Sequence, residues 1–365
     1  MHLAHLRLRD FRNYDRLDAD FSPGFHLLLG RNAQGKTNLL EAVYLMSTLR
    51  SFRGMGSAQL VRHGKSGYFV GGSVVGVGTH DIRMAWSRTE RRLQLDQQPV
   101  KKLTDYLGTL RTVVFCTEDL QLVKGAGRIR RRFMDLLLSQ TQSGYLPLLQ
   151  RYMRAVRSRN ALLKQKQPDT GSLDSFSAEV VKLGNELMKH RYEMIPQLAD
   201  MAKMAFSRIA PEAEELRMEY QPRVKADFAA ELEKARDREL AQRTTLIGPH
   251  RDELKLQLND KSVIDYASEG QKRTVAIALK MAQAEHLTQV HGAPPILLID
   301  DVMGELDAKR REGFLPLLER SGDGRGQVFM TCTEENWPSE LGEKLNRWQV
   351  DAGQLSTPDG HNPPG

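Results

Sequence analysis

The chain has 365 residues, which allows two or three domains, and its 40% hydrophobic and 27% charged residues are ordinary values for a globular protein. Its formal net charge is +7, a small excess for this length, so the position of the charge matters more than its sum. The two cysteines, Cys116 and Cys332, are predicted to be unpaired thiols on strands, and the absence of a long apolar run or a signal-peptide pattern predicts a cytoplasmic protein.

Residues 1–120 are predicted to form a lobe of strands with one helix. Period-two alternation over the first residues indicates hairpin strands, and a short apolar strand ends at Gly30. A helix follows from Lys36 to about Leu49. Beyond it, alternating segments rich in Gly and Val indicate antiparallel hairpins. This part therefore reads as a mixed lobe in which one helix packs on a sheet.

A phosphate-binding loop lies between that apolar strand and the helix. The residues from Gly30 to Thr37 read GRNAQGKT and match G-x-x-x-x-G-K-[ST]. Glycines let the backbone amides surround phosphates, Lys36 reaches the terminal phosphates, and the Thr37 hydroxyl can ligate Mg²⁺. The residues assigned to the nucleotide here are Gly30, Arg31, Asn32, Ala33, Gln34, Gly35, Lys36, Thr37 and Asn38. Arg12 and Asn13, in the first hairpin, are further candidates, and an exposed strand edge is the alternative for both.

Residues 121–243 change to helix-forming runs and predict a helical hairpin of modest length, because no heptad pattern is sustained. Four prolines interrupt these runs, namely Pro168, Pro196, Pro211 and Pro222.

The positive charge is concentrated in this helical part. Residues 124–166 contain eleven Lys or Arg and one acidic residue, a net +10, so the rest of the chain sums to −3. Such a cluster without interspersed acids favours a surface that tracks nucleic-acid phosphates, while a solvated helix face is the alternative. The arginines assigned to DNA binding are Arg128, Arg131, Arg132, Arg151, Arg154 and Arg157.

Residues 244–351 return to strand character around a helix predicted over 269–287, and the tail 352–365, rich in Gly and Pro, is predicted to be disordered. Ser268 and Gln271 open the helix in the pattern of a capping box. The same residues, with Gly270, resemble the signature of ABC-type ATPases. In those proteins the serine hydroxyl, the glycine amide and the helix dipole contact the γ-phosphate held by the P-loop of the other subunit. Ser268, Gly270 and Gln271 are therefore assigned to nucleotide binding.

Two acidic residues end an apolar strand further along. The strand begins at Ile296 and delivers Asp300 and Asp301 at its carboxyl end. We assign Asp300, together with Thr37, to the binding of Mg²⁺. Asp301 and Lys36 are assigned to catalysis, and Asp301 is the group that polarises the attacking water. Glu305-Leu306-Asp307 follows at the position of a D-loop.

The phosphate-binding loop, the signature, the acidic strand end and the D-loop follow one another in the order found in ABC-type ATPases. Together they resemble the motifs of RecF-type DNA replication and repair proteins of bacteria, which are ABC-type ATPases related to SMC and Rad50 heads. The resemblance also rests on LRLRDFRNY (6–14), RRFMD (131–135) and GPHRD (248–252), and it covers nearly the whole chain except the tail. It implies an α/β fold, an ABC-type P-loop ATPase head made of a mixed-sheet lobe and a RecA-like core, with a short helical hairpin as a second domain.

The resemblance also implies what the protein does. It implies ATP and Mg²⁺ as cofactors and an ATP-bound homodimer in which each nucleotide lies between one subunit's P-loop and the other's signature. It implies binding to single-stranded and gapped duplex DNA, with RecO, RecR and RecA as partners in recombinational repair, replication and the SOS response at the nucleoid.

Two departures from general ABC chemistry predict slow hydrolysis that acts as a timer. Asp301 stands where most ABC ATPases have Glu, and Thr331 begins the segment where transporter ATPases have a switch His. No Q-loop glutamine is identified, because residues 115–119 occupy its position and only Gln121 is near. The role of His250 and Arg251 stays open between a structural turn and a contact to DNA or a partner subunit.

Three alternatives accompany this interpretation. A transporter ATPase subunit is disfavoured by the 230 residues between Thr37 and Ser268 and by the missing His. A long-armed chromosome-structuring protein is disfavoured by the prolines of the helical part. A nucleotide-binding scaffold that does not hydrolyse ATP physiologically remains an open alternative. We therefore expect the protein to act mainly as a DNA-binding switch controlled by ATP, with weak DNA-dependent ATPase activity.

Overall fold

The computed structural model describes residues 1–210, 213–322, 324, 326–333 and 345–357. The chain divides into two compact units. The first unit comprises residues 1–119, 208–211 and 277–365, and the second unit comprises residues 120–207 and 212–276. The first segment of the first unit ends at Asp119, beside the predicted boundary at residue 120, and its last segment begins at Ile277 instead of residue 244. The signature residues 268–271 therefore lie in the second unit.

The described residues contain fifteen strands and ten α-helices. The strands are β1 His2–Phe11, β2 Tyr14–Asp20, β3 Gly24–Leu29, β4 Gly67–Val75, β5 Thr79–Ser87, β6 Arg91–Leu95, β7 Gln98–Pro99, β8 Thr112–Phe115, β9 Leu216–Gln221, β10 Glu253–Leu258, β11 Lys261–Ser262, β12 Ile296–Asp300, β13 Gln327–Cys332, β14 Leu345–Asp351 and β15 Gln354–Ser356. The helices are α1 Lys36–Thr48, α2 Leu120–Lys124, α3 Gly127–Thr141, α4 Tyr145–Leu163, α5 Thr170–Ile209, α6 Phe228–Lys234, α7 Arg236–Gln242, α8 Val263–Tyr266, α9 Glu269–His291 and α10 Ala308–Gly322.

The first unit contains two six-stranded sheets. One is antiparallel with the order β2-β1-β4-β5-β6-β7, which confirms the hairpins read from alternation. The other has the order β15-β14-β3-β13-β12-β8, and all of its neighbouring strands are parallel except β14 and β15. Its central strands are buried on both faces, which explains why they read as continuous apolar runs.

Helix α1 contacts strands of both sheets. The sequence predicted one apolar face, but every residue from Leu39 to Thr48 is buried, including the charged Glu41. The helix therefore lies inside the core of the first unit. This packing fixes the position of its first residue, Lys36, directly after the phosphate-binding loop.

The second unit is mainly helical and includes the small antiparallel sheet β11-β10-β9. As predicted, a turn containing Pro168 separates the long helices α4 and α5. The prediction that Pro196 interrupts the helix is wrong, because α5 continues through it for 40 residues. Its neighbours Ile195 and Leu198 are buried, and such packing offsets the single backbone hydrogen bond that a proline removes.

The tail differs from its prediction. Instead of disorder from residue 352, the turn Ala352–Gly353 connects β14 to β15, whose Leu355 pairs with Val350. The remaining residues of the predicted tail, 358–365, lie outside the described residues. Within the described part of the chain, no helix is long and apolar enough to cross a membrane.

Candidate nucleotide-binding site

The phosphate-binding loop follows β3 and ends where α1 begins, as the sequence predicted. Its backbone has positive φ angles at Gly30 (153°), Ala33 (65°) and Gly35 (120°). A Cβ atom at Gly35 would lie 2.7 Å from Nδ2 of Asn13, and one at Gly30 would collide with the carbonyl oxygen of Val350. Both glycines are therefore required by conformation and by close packing, which lets the loop curve around a phosphate-sized anion.

Lys36 closes this loop. Its Nζ donates hydrogen bonds to the carbonyl oxygens of Gly30 at 2.5 Å and Arg31 at 3.0 Å, and the residue is only 8% exposed. Burial lowers the pKa of Lys36, while the charges of Asp301 and Asp300 act to raise it. The ammonium group thus lies inside the loop, where anionic phosphates can take over its donors.

Thr37 and Asp300 are brought together by the sheet. The Thr37 hydroxyl donates to Oδ1 of Asp300 at 2.9 Å, and the Thr331 hydroxyl donates to the same oxygen at 2.9 Å. Strand β13 lies between β3 and β12, so the carboxyl ends of the three parallel strands share one edge. A hydroxyl and a carboxylate are hard oxygen donors of the kind Mg²⁺ prefers, so these residues fit the ion assigned to them.

The second acid, Asp301, is exposed and has a positive φ of 56°. Its amide donates to the Thr331 hydroxyl at 3.0 Å, so Thr331 orients both acids. Glu118 is a further acid that no sequence motif singles out, and it follows β8, the strand paired with β12. The charge of Glu118 helps raise the pKa of Asp300, and Glu118 belongs to the segment 115–119 at the predicted Q-loop position. Its place after a strand parallel to β12 is the signal that could have identified it.

Asn13 and the turn after β14 hold the loop from outside. Nδ2 of Asn13 donates to the Gln34 carbonyl at 2.8 Å, and Asn38 donates to Oδ1 of Asn13 at 2.8 Å. The amide of Ala352 donates to Oε1 of Gln34 at 2.7 Å, and the amide of Gly353 donates to the Gln34 carbonyl at 2.9 Å. Asn13 thus contacts the loop as a positioning residue.

The structure does not support the assignment of Arg12 to the nucleotide. Its guanidinium donates to both carboxylate oxygens of the buried Glu41, at 2.7 and 3.0 Å, and to the carbonyl of Gln59 at 3.1 Å. A carboxyl group inside the core requires such a partner. Arg12 therefore stabilises α1 and the first hairpin.

In the second unit, the signature residues begin α9. The Gln271 side chain accepts from the Ser268 amide at 2.7 Å, and the Ser268 hydroxyl oxygen accepts from the Gln271 amide at 3.2 Å, so the predicted capping box is confirmed. Ser268 and Gly270 are exposed, and Gln271 also donates to Glu214 at 2.6 Å. Because the Ser268 hydroxyl acts here as an acceptor, its hydrogen can be donated to a phosphate.

The residues at the D-loop position begin α10. Asp307 accepts from the amide of Arg310 at 2.9 Å and so caps this helix, and Leu306 is buried. The side chain of Glu305 lies outside the described residues.

Residues 124–166, the basic segment, differ in burial and in their partners more than the sequence suggests. Arg130 is buried and paired with Glu253, and Arg159 is buried and paired with Glu239 at 2.7 Å. Arg131 is half-buried and donates to the Asp252 carbonyl at 2.6 Å, so it serves the fold of the second unit. The exposed arginines among those assigned to DNA are Arg128 and Arg132 on α3, and Arg151, Arg154 and Arg157 on α4.

Asp300→Asn is expected to raise the melting temperature of the nucleotide-free protein at neutral pH. Burial raises the pKa of Asp300, so its ionisation costs more free energy in the folded chain than in the unfolded one. The stability associated with this group is present below the ordinary pKa of a carboxyl and is lost as pH rises through the raised pKa. Asparagine keeps the oxygen that accepts from Thr37 and cannot ionise.

Calorimetry with and without Mg²⁺ and ATP checks this expectation, with the exposed Asp105→Asn as the control in the same unit. The gain should vanish in acid, and the variant should lose the additional stabilisation that Mg²⁺ provides with ATP. An unchanged melting temperature at neutral pH would contradict the electrostatic interpretation.

Comparisons with known proteins agree with this geometry. Residues 2–351 match the family model described as RecF/RecN/SMC N terminal domain. The chain is 36% identical to the DNA replication and repair protein RecF of Lactobacillus johnsonii, over 98% of this chain and 99% of that protein. It resembles the solved structure of the recombination mediator protein RecF-ATP in the RecFOR pathway, with a TM-score of 0.89, 27% identity and coverage of 98% and 97% of the two chains.

A more distant similarity concerns the fold alone. The Smc head domain of Pyrococcus furiosus, solved bound to the C-terminal domain of ScpA, has a TM-score of 0.56 and 14% identity, over 97% of this chain and 95% of that one. The structure is thus of the α/β type predicted for ABC-type ATPase heads.

Proposed function

We propose, from the premise that this chain belongs to the RecF family of DNA replication and repair proteins, that it is an ATP-dependent DNA-binding protein of recombinational repair. The observation that carries the proposal is the shared sheet edge where Lys36, Thr37 and Asp300 meet. The ATP-bound state of the similar solved protein supports ATP as its nucleotide.

In this proposal, the loop amides and Lys36 bind the phosphates, and Thr37 and Asp300 hold Mg²⁺. The ion would neutralise charge on the terminal phosphates. Asp301 is exposed and oriented through Thr331, and it would accept a hydrogen bond from the attacking water. An aspartate reaches one methylene less far than a glutamate, so hydrolysis is slow and acts as a timer.

A homodimer forms when ATP is bound, with Ser268 and Gly270 of each subunit at the nucleotide of the other. Their exposure at the start of α9 supports this role, because a helix N-terminus favours negative charge and the two groups are open to a partner. RecO- and RecR-type proteins are proposed partners, because the similar solved protein is described as part of the RecFOR pathway. A RecA-type partner and roles in repair, replication and the SOS response are proposed from the resemblance to RecF-type proteins.

The exposed arginines of α4 provide the proposed DNA surface. Arg151, Arg154 and Arg157 recur every three residues, so they follow one side of the helix and can contact successive phosphates. Single-stranded and gapped duplex DNA are the proposed ligands, read through the backbone with little sequence preference.

Reversing Arg154 and Arg157 to Glu should weaken DNA binding at least about tenfold for all sequences alike and reduce its salt dependence by about two phosphate contacts. Fluorescence anisotropy with gapped DNA, with and without ATP, measures both effects. Lys225→Glu/Lys234→Glu, at exposed lysines of the same unit outside residues 124–166, is the matched control. If the two double variants bind DNA with the same affinity, the exposed face of α4 is only a solvated helix face. If the wild-type protein does not bind DNA, the proposed function is wrong.

A further inference from the structure

The second unit contains a cavity lined by three arginines and three apolar residues. Its volume is about 230 Å³, and its lining consists of Arg223, Ala235, Arg238, Leu246, Ile247 and Arg251. Three of these six residues are arginines and none is acidic. The three arginines are exposed, so the cavity is open to ligands from solvent. None of them belongs to the basic segment 124–166, and the nucleotide-binding residues lie elsewhere in the chain.

The backbone around the cavity is fixed by one buried carboxylate. Asp252 is fully buried, accepts from the amide of Arg223 at 2.7 Å, and directly follows Arg251 in the chain. The same carboxylate accepts from the buried Arg191 at 2.9 Å and from the hydroxyl of Tyr220. Arg223 and Arg251 come from distant parts of the sequence, and this bonding fixes the backbone at Arg223 and at the residue after Arg251 without a ligand. Such preorganisation lowers the entropic cost of binding.

The neighbouring His250 is part of the same framework. Its Nδ1 lies 2.6 Å from the Tyr152 hydroxyl, and its Nε2 lies 3.1 Å from the Thr245 carbonyl oxygen. Burial lowers the pKa of His250 to about 4, so the ring is neutral at physiological pH. His250 thus has a structural role. The Arg251 guanidinium donates weakly to the Thr245 carbonyl, at 3.3 and 3.4 Å, and faces the cavity.

The cavity favours a small anion. Three arginines and no acid in one lining concentrate positive charge there, which would attract a ligand with negative charge. Guanidinium groups match the oxygens of phosphate through paired hydrogen bonds. The volume is below the roughly 300–1,000 Å³ typical of sites for drug-sized ligands, so it suits a single phosphate group.

We propose that Arg223, Arg238 and Arg251 form a phosphate-binding pocket that takes one phosphate group of a DNA strand. The proposal rests on the proposed function, which supplies DNA as the source of the phosphate. It adds to the α4 face a second contact at a defined point, and it assigns a role to Arg251.

The test compares two double variants with equal loss of charge. Arg238→Gln/Arg251→Gln changes the pocket, whereas Lys225→Gln/Lys234→Gln changes exposed lysines of the same region that do not line it. With gapped DNA and ATP, the pocket variant should bind about tenfold more weakly, as expected for a lost hydrogen-bonded charge contact, and the control less than about twofold. Arg238→Lys/Arg251→Lys, which keeps the charge but loses the paired donors, should fall between them. Equal melting temperatures establish that all variants fold.

The possible results separate the pocket from the wider function. If wild-type protein binds DNA in an ATP-dependent manner and the pocket variant binds as well as the lysine control, the pocket proposal is overturned and the proposed function stands. If wild-type protein does not bind DNA, both fail. Tripolyphosphate is the second probe, used in a Lys36→Met background to remove the nucleotide loop as a competitor. Thermal stabilisation by tripolyphosphate that depends on the pocket arginines, without an effect on DNA, would identify a free phosphate ligand and overturn the assignment to DNA.

Discussion

Lys36→Met should weaken ATP binding by about a hundredfold or more. The ammonium group is buried in the loop, where it donates to the carbonyl oxygens of Gly30 and Arg31, and bound phosphates would receive the same donors. Each hydrogen bond to a charged group contributes about 1.5–3 kcal/mol, so the loss of two gives at least this factor. Methionine has a similar length and cannot donate. Isothermal titration calorimetry with ATP and Mg²⁺ measures the change.

The matched control for this variant is Lys65→Met in the same unit. Lys65 is about half exposed and lies 3.4 Å from Asp10, an ion pair of the exposed kind that contributes little. Its replacement should leave ATP affinity within about twofold of wild type. Should Lys36→Met bind ATP as tightly as this control, the assignment of the loop to phosphates would be wrong.

Ser268→Asp is the second variant with a large expected effect, because it separates the two roles of Ser268. Aspartate is as good an N-cap as serine, so α9 and the melting temperature should be preserved. In the proposed dimer, however, the new carboxylate would face the terminal phosphate held by the partner. Two unit charges about 4 Å apart cost about 4 kcal/mol at an effective dielectric constant of 20. We expect ATP binding by the monomer to persist and the ATP-dependent dimer to disappear.

Sedimentation velocity with and without ATP distinguishes these states. Ser143→Asp places the same charge at an exposed serine between α3 and α4 and should leave dimerisation unchanged. A Ser268→Asp dimer as tight as the wild-type dimer would show that Ser268 only caps α9. Loss of the dimer in both variants would point to a general effect of negative charge on association.

Much of the nucleotide site could be predicted because its chemistry is local in sequence. The eight residues from Gly30 to Thr37 need one strand before them and one helix after them, and both could be read from the apolar pattern. Asp300 is predictable for a similar reason, since an apolar run that ends in acids predicts a buried strand with carboxylates at its edge. Parallel pairing then brings the edges together, as the 2.9 Å contact between Thr37 and Asp300 shows.

The net charge of a segment does not reveal which of its arginines pair with acidic residues that are distant in the sequence. Arg130 and Arg159 belong to the basic segment by composition, yet each is buried against a glutamate from beyond residue 230. Arg12 lies beside Asn13 in the chain, but its side chain pairs with Glu41 while Asn13 contacts the loop. In each case, burial makes the ion pair necessary, and burial is not visible in the local pattern.

The sequence alone therefore determined the phosphate-binding loop, the acidic strand end and the capping box at Ser268, since each depends on residues within a few positions of one another. The tertiary structure decided which arginines remain on the surface, how the turn at Ala352 holds Gln34, and that Arg223 and Arg251 meet at one cavity. These features join residues far apart in the chain. They arise from packing and from the need to satisfy buried polar groups, which only the folded arrangement specifies.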